Sequence, residues 1–311
     1  MDLNDIRVAA QRIAGQVHVT PIMTSHLIDQ LLGCKCFFKC ENLQKVGAFK
    51  ARGACNAVAQ LSDAEASCGV ATHSSGNHGA ALAFAAKIRE IPAYVVMPSN
   101  APQVKKDAVA AYGATIIECE PNLPAREQGL RHIVATTGAH FVPPYDDERI
   151  IAGQGTAALE LLEQAPELDM IMAPVGGGGL LAGTALAAKG LKPDIIVFGA
   201  EPEGADDAAR SFHSGVRVTE VDAQTIADGL RTTLGATNFA IIHESVDDIL
   251  TVSEANILLA MKLMWTRLKL VVEPSSAVPI AAILQHKARF KDKKVGVVIS
   301  GGNVELSQLP F

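Results

Sequence analysis

MIMAPVGGGGLLAGTALAAKG, residues 170–190, carries no charged side chain before Lys189. An uncharged run of this kind approaches the roughly 20 residues that a bilayer-spanning helix needs. Pro174 and four consecutive glycines interrupt it, and neither suits the interior of a helix. The better reading is a buried strand, a glycine loop and a helix, the repeating unit of a parallel α/β sheet. The alternation recurs elsewhere. Candidate strands are GVATH from Gly69, AYVVMP from Ala93, ATIIECE from Ala114, IIVFGAE from Ile195 and VGVVIS from Val295, with Ala-rich helical stretches such as AALAFAAKIRE from Ala80 between them. This order predicts an α/β protein with mostly parallel sheets whose crossover helices cover both faces.

Composition narrows the function. The 311 residues are 49% hydrophobic and only 19% charged, which indicates a globular chain with a sizeable core. A net charge of −6 without a basic run argues against nucleic acid and against a polybasic membrane contact. The amino-terminal stretch reads as an amphipathic helix and lacks the apolar core of a signal peptide, so a cytoplasmic protein is expected. Cys34, Cys36, Cys40, Cys55, Cys68 and Cys119 show no C-x-x-C spacing, which argues against a disulfide framework. Cys34, Cys36 and Cys40 share one strand face, but with no histidine nearby a thiolate metal site has little support. No linker is evident. The turn-rich VPPYDDER near Tyr145 marks the candidate boundary, giving a large domain of 1–68 and 147–311 and a small domain of 69–146.

Chemistry in such sheets gathers at the carboxyl ends of the strands. In the opening stretch, Gly176, Gly177, Gly178 and Gly179 follow a strand and open a helix, so successive N–H groups and the helix dipole converge where an anion such as phosphate can sit. A dinucleotide reading competes: Gly177, Gly179 and Ala182 satisfy G-x-G-x-x-A, with Glu201 ending the next strand. It would make the protein a nicotinamide oxidoreductase, and it leaves two further edges and one lysine unexplained. One edge is HSSGNHGAA from His73, rich in hydroxyl, amide and imidazole groups; the other is VISGGNVEL, where Ser300 precedes a glycine pair. The lysine is Lys50 in KVGAFKARGA, behind Phe49.

An anion site, a polar ring contact and a reactive amine together fit pyridoxal phosphate. The ordered motifs GAFKARGA, SSGNHGAA, IAGQGT, PVGGGGLLAG, IADGLRTTLG, EPSSAV and SGGNVEL resemble the serine racemase and serine/threonine dehydratase family of fold type II pyridoxal phosphate enzymes, over nearly the whole chain. The resemblance implies two twisted α/β domains with the cofactor between them. It implies that Lys50 is the Schiff-base lysine, Phe49 its apolar neighbour, Asn77 the partner of the ring hydroxyl, the four glycines the phosphate cradle, and Ser300 the residue facing the pyridine nitrogen. A neutral hydroxyl there makes the ring a weaker electron sink than a carboxylate would, which suits β-elimination or quick reprotonation better than transamination. Lys50 and Ser75 would serve as acid/base groups on opposite faces of the substrate. The implied activity is dehydration of serine, threonine or threo-3-hydroxyaspartate to a 2-oxo acid and ammonia, with racemisation beside it; a primary serine- or aspartate-type racemase is the alternative.

Ala48 stands where family members often carry serine, and VGAFK looks more like the 3-hydroxyaspartate dehydratases. A second substrate carboxylate would need a cation, for which Arg126 and Arg231 are candidates beside Ser74, Ser75 and His78 of the polar loop. A histidine beside such a loop invites an acid/base role, yet an imidazole often only donates a structural hydrogen bond, so His73 and His78 are left unassigned. Cysteine-synthase relatives typically place threonine at the position of His78, which argues against β-replacement. The chain ends soon after SGGNVEL, so feedback by isoleucine is not expected. In AEPEGADDA, Glu201, Asp207 and the Ala205 carbonyl match the divalent-cation site of racemase-like members, with oxygen ligands suited to magnesium, calcium or manganese. The resemblance also implies a homodimer.

Overall fold

The computed structural model describes residues 1–74 and 76–305. Ten strands form two sheets: β1 (Ile22–Met23), β2 (Lys35–Cys40), β3 (Val70–His73), β4 (Ala93–Pro98), β5 (Thr115–Cys119), β6 (His140–Phe141), β7 (Met170–Pro174), β8 (Ile196–Pro202), β9 (Asp248–Val252) and β10 (Lys294–Ile299). The larger sheet has the order β1-β2-β10-β7-β8-β9, the smaller β5-β4-β3-β6. Every pairing between these strands is parallel except β1 with β2. The expectation of mostly parallel α/β sheets therefore holds.

Residues 170–190 do what their composition requires. All five residues of β7 are buried: Met170 and Met172 join the core on one face of the large sheet, Ile171 and Ala173 the core on the other. A strand covered on both faces has no polar side to present, which is why the run carries no charge. The helix that follows, Gly179–Leu191, is too short to span a bilayer, and no helix among the described residues is long and apolar enough to cross a membrane. At the amino terminus, the helix Leu3–Ile13 is amphipathic as expected, with Ile6, Ala9 and Ile13 buried.

Three helices pack backbone to backbone and thereby fix Lys50. The helix Glu148–Gln164 lies between the helices Lys50–Ala59 and Gly179–Leu191. A Cβ at Gly153 would stand 2.5 Å from Gly53 Cα, and one at Gly183 would stand 2.5 Å from the Ile151 carbonyl. The IAGQGT motif thus reads as a packing seam, closed by hydrogen at the two closest crossings.

Charge is buried along the same seam. Arg52, fully buried two residues after Lys50, donates from Nε and Nη2 to both oxygens of buried Glu41 at 2.7 and 2.8 Å, and from Nη1 and Nη2 to both oxygens of Glu160 at 2.7 and 2.8 Å. Lys39, also buried, adds a bond to Glu160 at 2.7 Å. Two cations facing two carboxylates, with bidentate geometry, make the burial tolerable.

Candidate active site

A cavity of about 500 Å³ opens between the carboxyl ends of the two sheets. Phe49, Lys50, Asn77, His78, the four glycines and Ser300 all line it, so segments from across the chain converge as the sequence reading required.

Lys50 starts its helix and is placed by the end of β10. Phe49 N–H donates to the Ser300 carbonyl at 3.0 Å, and Ala48 bridges antiparallel to Gly301. The Lys50 Nζ donates to the Pro144 carbonyl at 2.6 Å and stands 5.1 Å from the Phe49 ring centroid. It has no salt-bridge partner among the described residues. Burial lowers its pKa from 10.5 to about 8, against a smaller opposing pull from Glu273. The amine is thus brought toward the neutral form that a nucleophile requires.

Opposite lies the glycine loop. Gly178 adopts φ +95°, and the N–H groups of Gly176, Gly177 and Gly178 have no protein acceptor among the described residues. Their carbonyl side is occupied: Gly235 N–H and Asn238 Nδ2 both donate to the Gly177 carbonyl, at 3.1 and 2.7 Å. A Cβ at Gly177 would meet the Tyr145 ring at 2.3 Å. Free donors on one side, packed backbone on the other and a helix amino terminus behind them fit a phosphate group. Together with a depressed lysine in the same cavity, this donor set fits pyridoxal phosphate.

Ser300, buried, lies 3.0 Å from the Ser276 hydroxyl, which itself donates to the Gly301 carbonyl and accepts from Gly301 N–H. Asn77 does not simply wait for a ring oxygen. Its Nδ2 donates to both oxygens of Glu273 at 3.1 and 3.0 Å, and its Oδ1 accepts from Asn303 at 2.9 Å. Glu273 is buried, and burial together with the nearby Asp228 raises its pKa to about 7.

The polar loop is only partly described. Ser74 Oγ accepts from Gly76 N–H at 3.2 Å, whereas Ser75 lies outside the described residues. His78 is buried; its Nε2 lies 3.1 Å from the Val142 carbonyl and so carries the proton, leaving Nδ1 without a partner among the described residues. Burial, with Lys50 nearby, pushes its pKa down to about 3. An imidazole lowered this far is a weak proton acceptor.

The two arginines separate. Both line the cavity, but exposed Arg231 donates from Nε to the carbonyl of Thr225 at 2.9 Å, within its own loop. Arg126 has no side-chain partner among the described residues and stands close enough to help depress His73, which burial lowers first. Lys105 also reaches the cavity, where it pairs with Asp228 at 2.5 Å.

Glu201, Ala205 and Asp207 are all buried near one another. The Glu201 oxygens accept from Ala208 and Ala209 N–H at 3.0 and 2.8 Å, and Asp207 Oδ2 accepts from Leu234 N–H at 3.0 Å. Asp207 Oδ1 has no partner among the described residues. Burial raises Asp207 to about 6 and, with the Asp207 charge beside it, lifts Glu201 well above the usual carboxylate range. A buried carboxylate oxygen without a partner among the described residues is the kind of donor a hard divalent cation takes. Among the described residues no three His, Cys, Asp or Glu side chains gather as a metal cluster. That holds for Cys34, Cys36 and Cys40 too; all six cysteines are free.

Sequence reasoning passed over Glu273, Asn303, Lys105 and Asp228. Glu273 opens the quoted EPSSAV, but nothing local says that it reaches Asn77 across 196 positions.

Comparison with known proteins agrees with this chemistry. Residues 13–301 match the family model described as pyridoxal-phosphate dependent enzyme. A serine racemase from Dictyostelium discoideum is 51% identical over 99% of this chain and 96% of its own length, and its crystal structure superposes with a TM-score of 0.94 over 98% of this chain and 99% of that one. A beta-hydroxyaspartate dehydratase from Paracoccus denitrificans is 50% identical over 99% of this chain and 98% of its own. The solved T.th. threonine deaminase is 45% identical with a TM-score of 0.94, covering 98% of this chain and 99% of that chain.

Proposed function

The chain belongs to the family of pyridoxal-phosphate dependent enzymes, and from that premise we propose that it dehydrates small β-hydroxy amino acids to a 2-oxo acid and ammonia and racemises them as a second outcome. The observation that carries this reading is the Lys50 amine, lowered to about 8 in a cavity whose other wall is a row of free glycine N–H groups. Serine, threonine and threo-3-hydroxyaspartate are the substrate candidates, in keeping with relatives named for racemisation, hydroxyaspartate dehydration and threonine deamination.

Pyridoxal phosphate, when bound, supplies the electron sink for charge developing at the substrate Cα. The protein's own groups do the rest. The N–H groups of Gly176, Gly177 and Gly178, with Gly179 opening the helix behind them, hold the phosphate. Phe49 walls off water beside Lys50. Asn77 would offer an amide hydrogen to the ring oxygen, and Ser300 would offer the ring nitrogen a neutral hydroxyl. Lys50 Nζ takes the Cα proton from one face; Ser75 is assigned to the other, where a second acid/base group permits return of the proton with inversion. If the β-hydroxyl departs instead, it leaves as water, and one water is taken up as ammonia is released, so the net products are 2-oxo acid and ammonia.

Arg126 is the proposed partner of a second carboxylate, supported by a guanidinium at the cavity with no partner among the described residues, and Arg231 is the weaker candidate because it is already bonded to Thr225. Ser74 and His78 would frame the substrate as polar neighbours, not as proton carriers. Glu201, Ala205 and Asp207 would hold a magnesium, calcium or manganese ion that steadies the loop around Leu234; Asp207 Oδ1, orphaned and buried, supports it. The two-domain division at 1–68 with 147–311 and 69–146 is kept as part of this reading, since the strands of each sheet fall on its two sides. A homodimer in the cytoplasm completes it.

The test is incubation of the holoenzyme with L-serine, D-serine, L-threonine and L-threo-3-hydroxyaspartate, scoring 2-oxo acid and enantiomer. Production of 2-oxo acid from at least one L substrate is expected. Absence of both products from all four overturns the reading.

A further inference from the structure

A chain of side-chain amides leads from the backbone of the lysine segment to a buried carboxyl. Asn303 Nδ2 donates to the Val46 carbonyl at 2.8 Å and to Asn77 Oδ1 at 2.9 Å. A carbonyl can only accept, so the Val46 contact fixes which end of the Asn303 amide faces inward. Asn77 must then turn its oxygen to Asn303 and its nitrogen to Glu273 and the cavity. The reverse orientation would set oxygen against a carboxylate and nitrogen against nitrogen. Two carboxylate oxygens lie too close together for the diverging hydrogens of one amide to take one each. The two Asn77–Glu273 contacts therefore share a single hydrogen, which leaves the second for the cavity.

We propose that Glu273 is a positioning residue for the cofactor: through its bond to Asn77 it aims the free amide hydrogen at the oxygen of the bound ring, and its charge state is reported by that ring. Its place supports this role. Glu273 occupies the N-cap position of the helix Pro274–Gln285, its own N–H donates to the Gly301 carbonyl at 3.1 Å, and its carboxyl packs so closely on Gly301 that a Cβ there would stand 2.9 Å from it. The charges that face it come from three other elements: Lys50 at the start of its helix, Lys105 in the helix Gln103–Ala111, and Asp228 in the short turn Asp228–Leu230. Burial and Asp228 raise it, the Asn77 bond and Lys105 lower it, and it comes to about 7. Below that pH it is neutral and releases part of its hold on Asn77; above it, the ionised form holds the amide and adds negative charge near Lys50.

The inference rests on membership of the cofactor family and not on the substrate assignment, so it is tested without substrate. The visible absorption of the wild-type holoenzyme should show a transition with a midpoint near 7. Glu273→Gln keeps an acceptor for Asn77 but cannot ionise; it should retain cofactor affinity within a few-fold and lose the transition. Glu273→Ala removes the acceptor and should weaken cofactor affinity about tenfold, the worth of one hydrogen bond to a charged group. Should Glu273→Ala fail to fold, Asn303→Ala frees Asn77 from its other side and should weaken affinity similarly while keeping the transition. Persistence of the transition in Glu273→Gln, or wild-type affinity in the folded alanine variant, overturns the proposal. A purely structural glutamate would leave the pH profile of the glutamine variant unchanged.

Discussion

Arg52→Met tests whether the seam that carries Lys50 is held by its buried charges. The substitution keeps much of the side-chain volume and removes the guanidinium. Glu160 is 17% exposed and retains Lys39 at 2.7 Å, so ammonium and water still cover it. Glu41, with a fully buried side chain, loses both guanidinium bonds and among the described residues keeps only the Thr20 hydroxyl as a side-chain donor, at 2.5 Å. Stranding one partner of a buried pair costs about 3–5 kcal/mol. At about 2–4 °C per kcal/mol this lowers Tm by roughly 10 °C. In the native protein burial pushes Glu41 up, but Arg52 beside it more than offsets this and holds it below the usual carboxylate value. Its stabilisation is therefore present above the unfolded carboxylate pKa and lost as pH falls through the lower, folded value. In the variant Glu41 is raised instead, so acidification should narrow the gap between the two proteins. Adding Glu41→Gln to Arg52→Met should restore part of the loss, because an amide can be buried at less cost than an unpaired charge. Thermal and urea unfolding of both variants beside wild type is the assay. A loss below about 1 kcal/mol, the worth of an exposed pair, or no recovery in the double variant, would refute the reasoning.

Four further outcomes follow from the site. Capture of pyridoxal phosphate by cofactor-free protein should rise with pH around a midpoint near 8, because the neutral amine is the nucleophile and burial has lowered it from 10.5; a midpoint at the ordinary lysine value would show that Lys50 is not the group captured. The same shift makes Lys50 a cost to folding below about 8 that is relieved between 8 and 10.5, so cofactor-free protein should gain stability across that window. Gly177→Ala puts a Cβ 2.3 Å from the Tyr145 ring, and the displaced loop should weaken cofactor affinity about tenfold by fluorescence titration, an overpacking cost of about 1–3 kcal/mol; unchanged affinity would mean the cradle lies elsewhere. Arg126→Ala should raise KM for threo-3-hydroxyaspartate about tenfold or more while sparing serine, since one charge-assisted bond is worth about 1.5–3 kcal/mol; an equal effect on both substrates would remove Arg126 as the second-carboxylate partner.

Much of the fold is written locally. Strand runs, the glycine loop and the amino-terminal helix each follow from periodicity and backbone preference, and the structure has the quoted strands within a residue or so of where the sequence puts them. The candidate site was legible as a set of segments, because short motifs name the chemistry of each strand end. Its wiring was not. Arg231 and Arg126 look alike as cations in polar loops, and only the fold commits one to Thr225 and leaves the other without a side-chain partner among the described residues.

What the residues determined unaided is the type of each element and the chemical character of each loop: uncharged β7 must be covered on both faces, four glycines must curl into donors, and a lysine behind Phe49 meets an apolar wall. What only the tertiary structure decided is which distant groups meet. β10, the last strand among the described residues, inserts between β2 and β7, and this carries Ser300 to Phe49 and brings Glu273 to Asn77. The physical reason is range. Backbone preference and hydrophobic period act over a few residues, whereas strand order and the pairing of buried polar groups are settled by burial across the whole chain, and no local pattern encodes them.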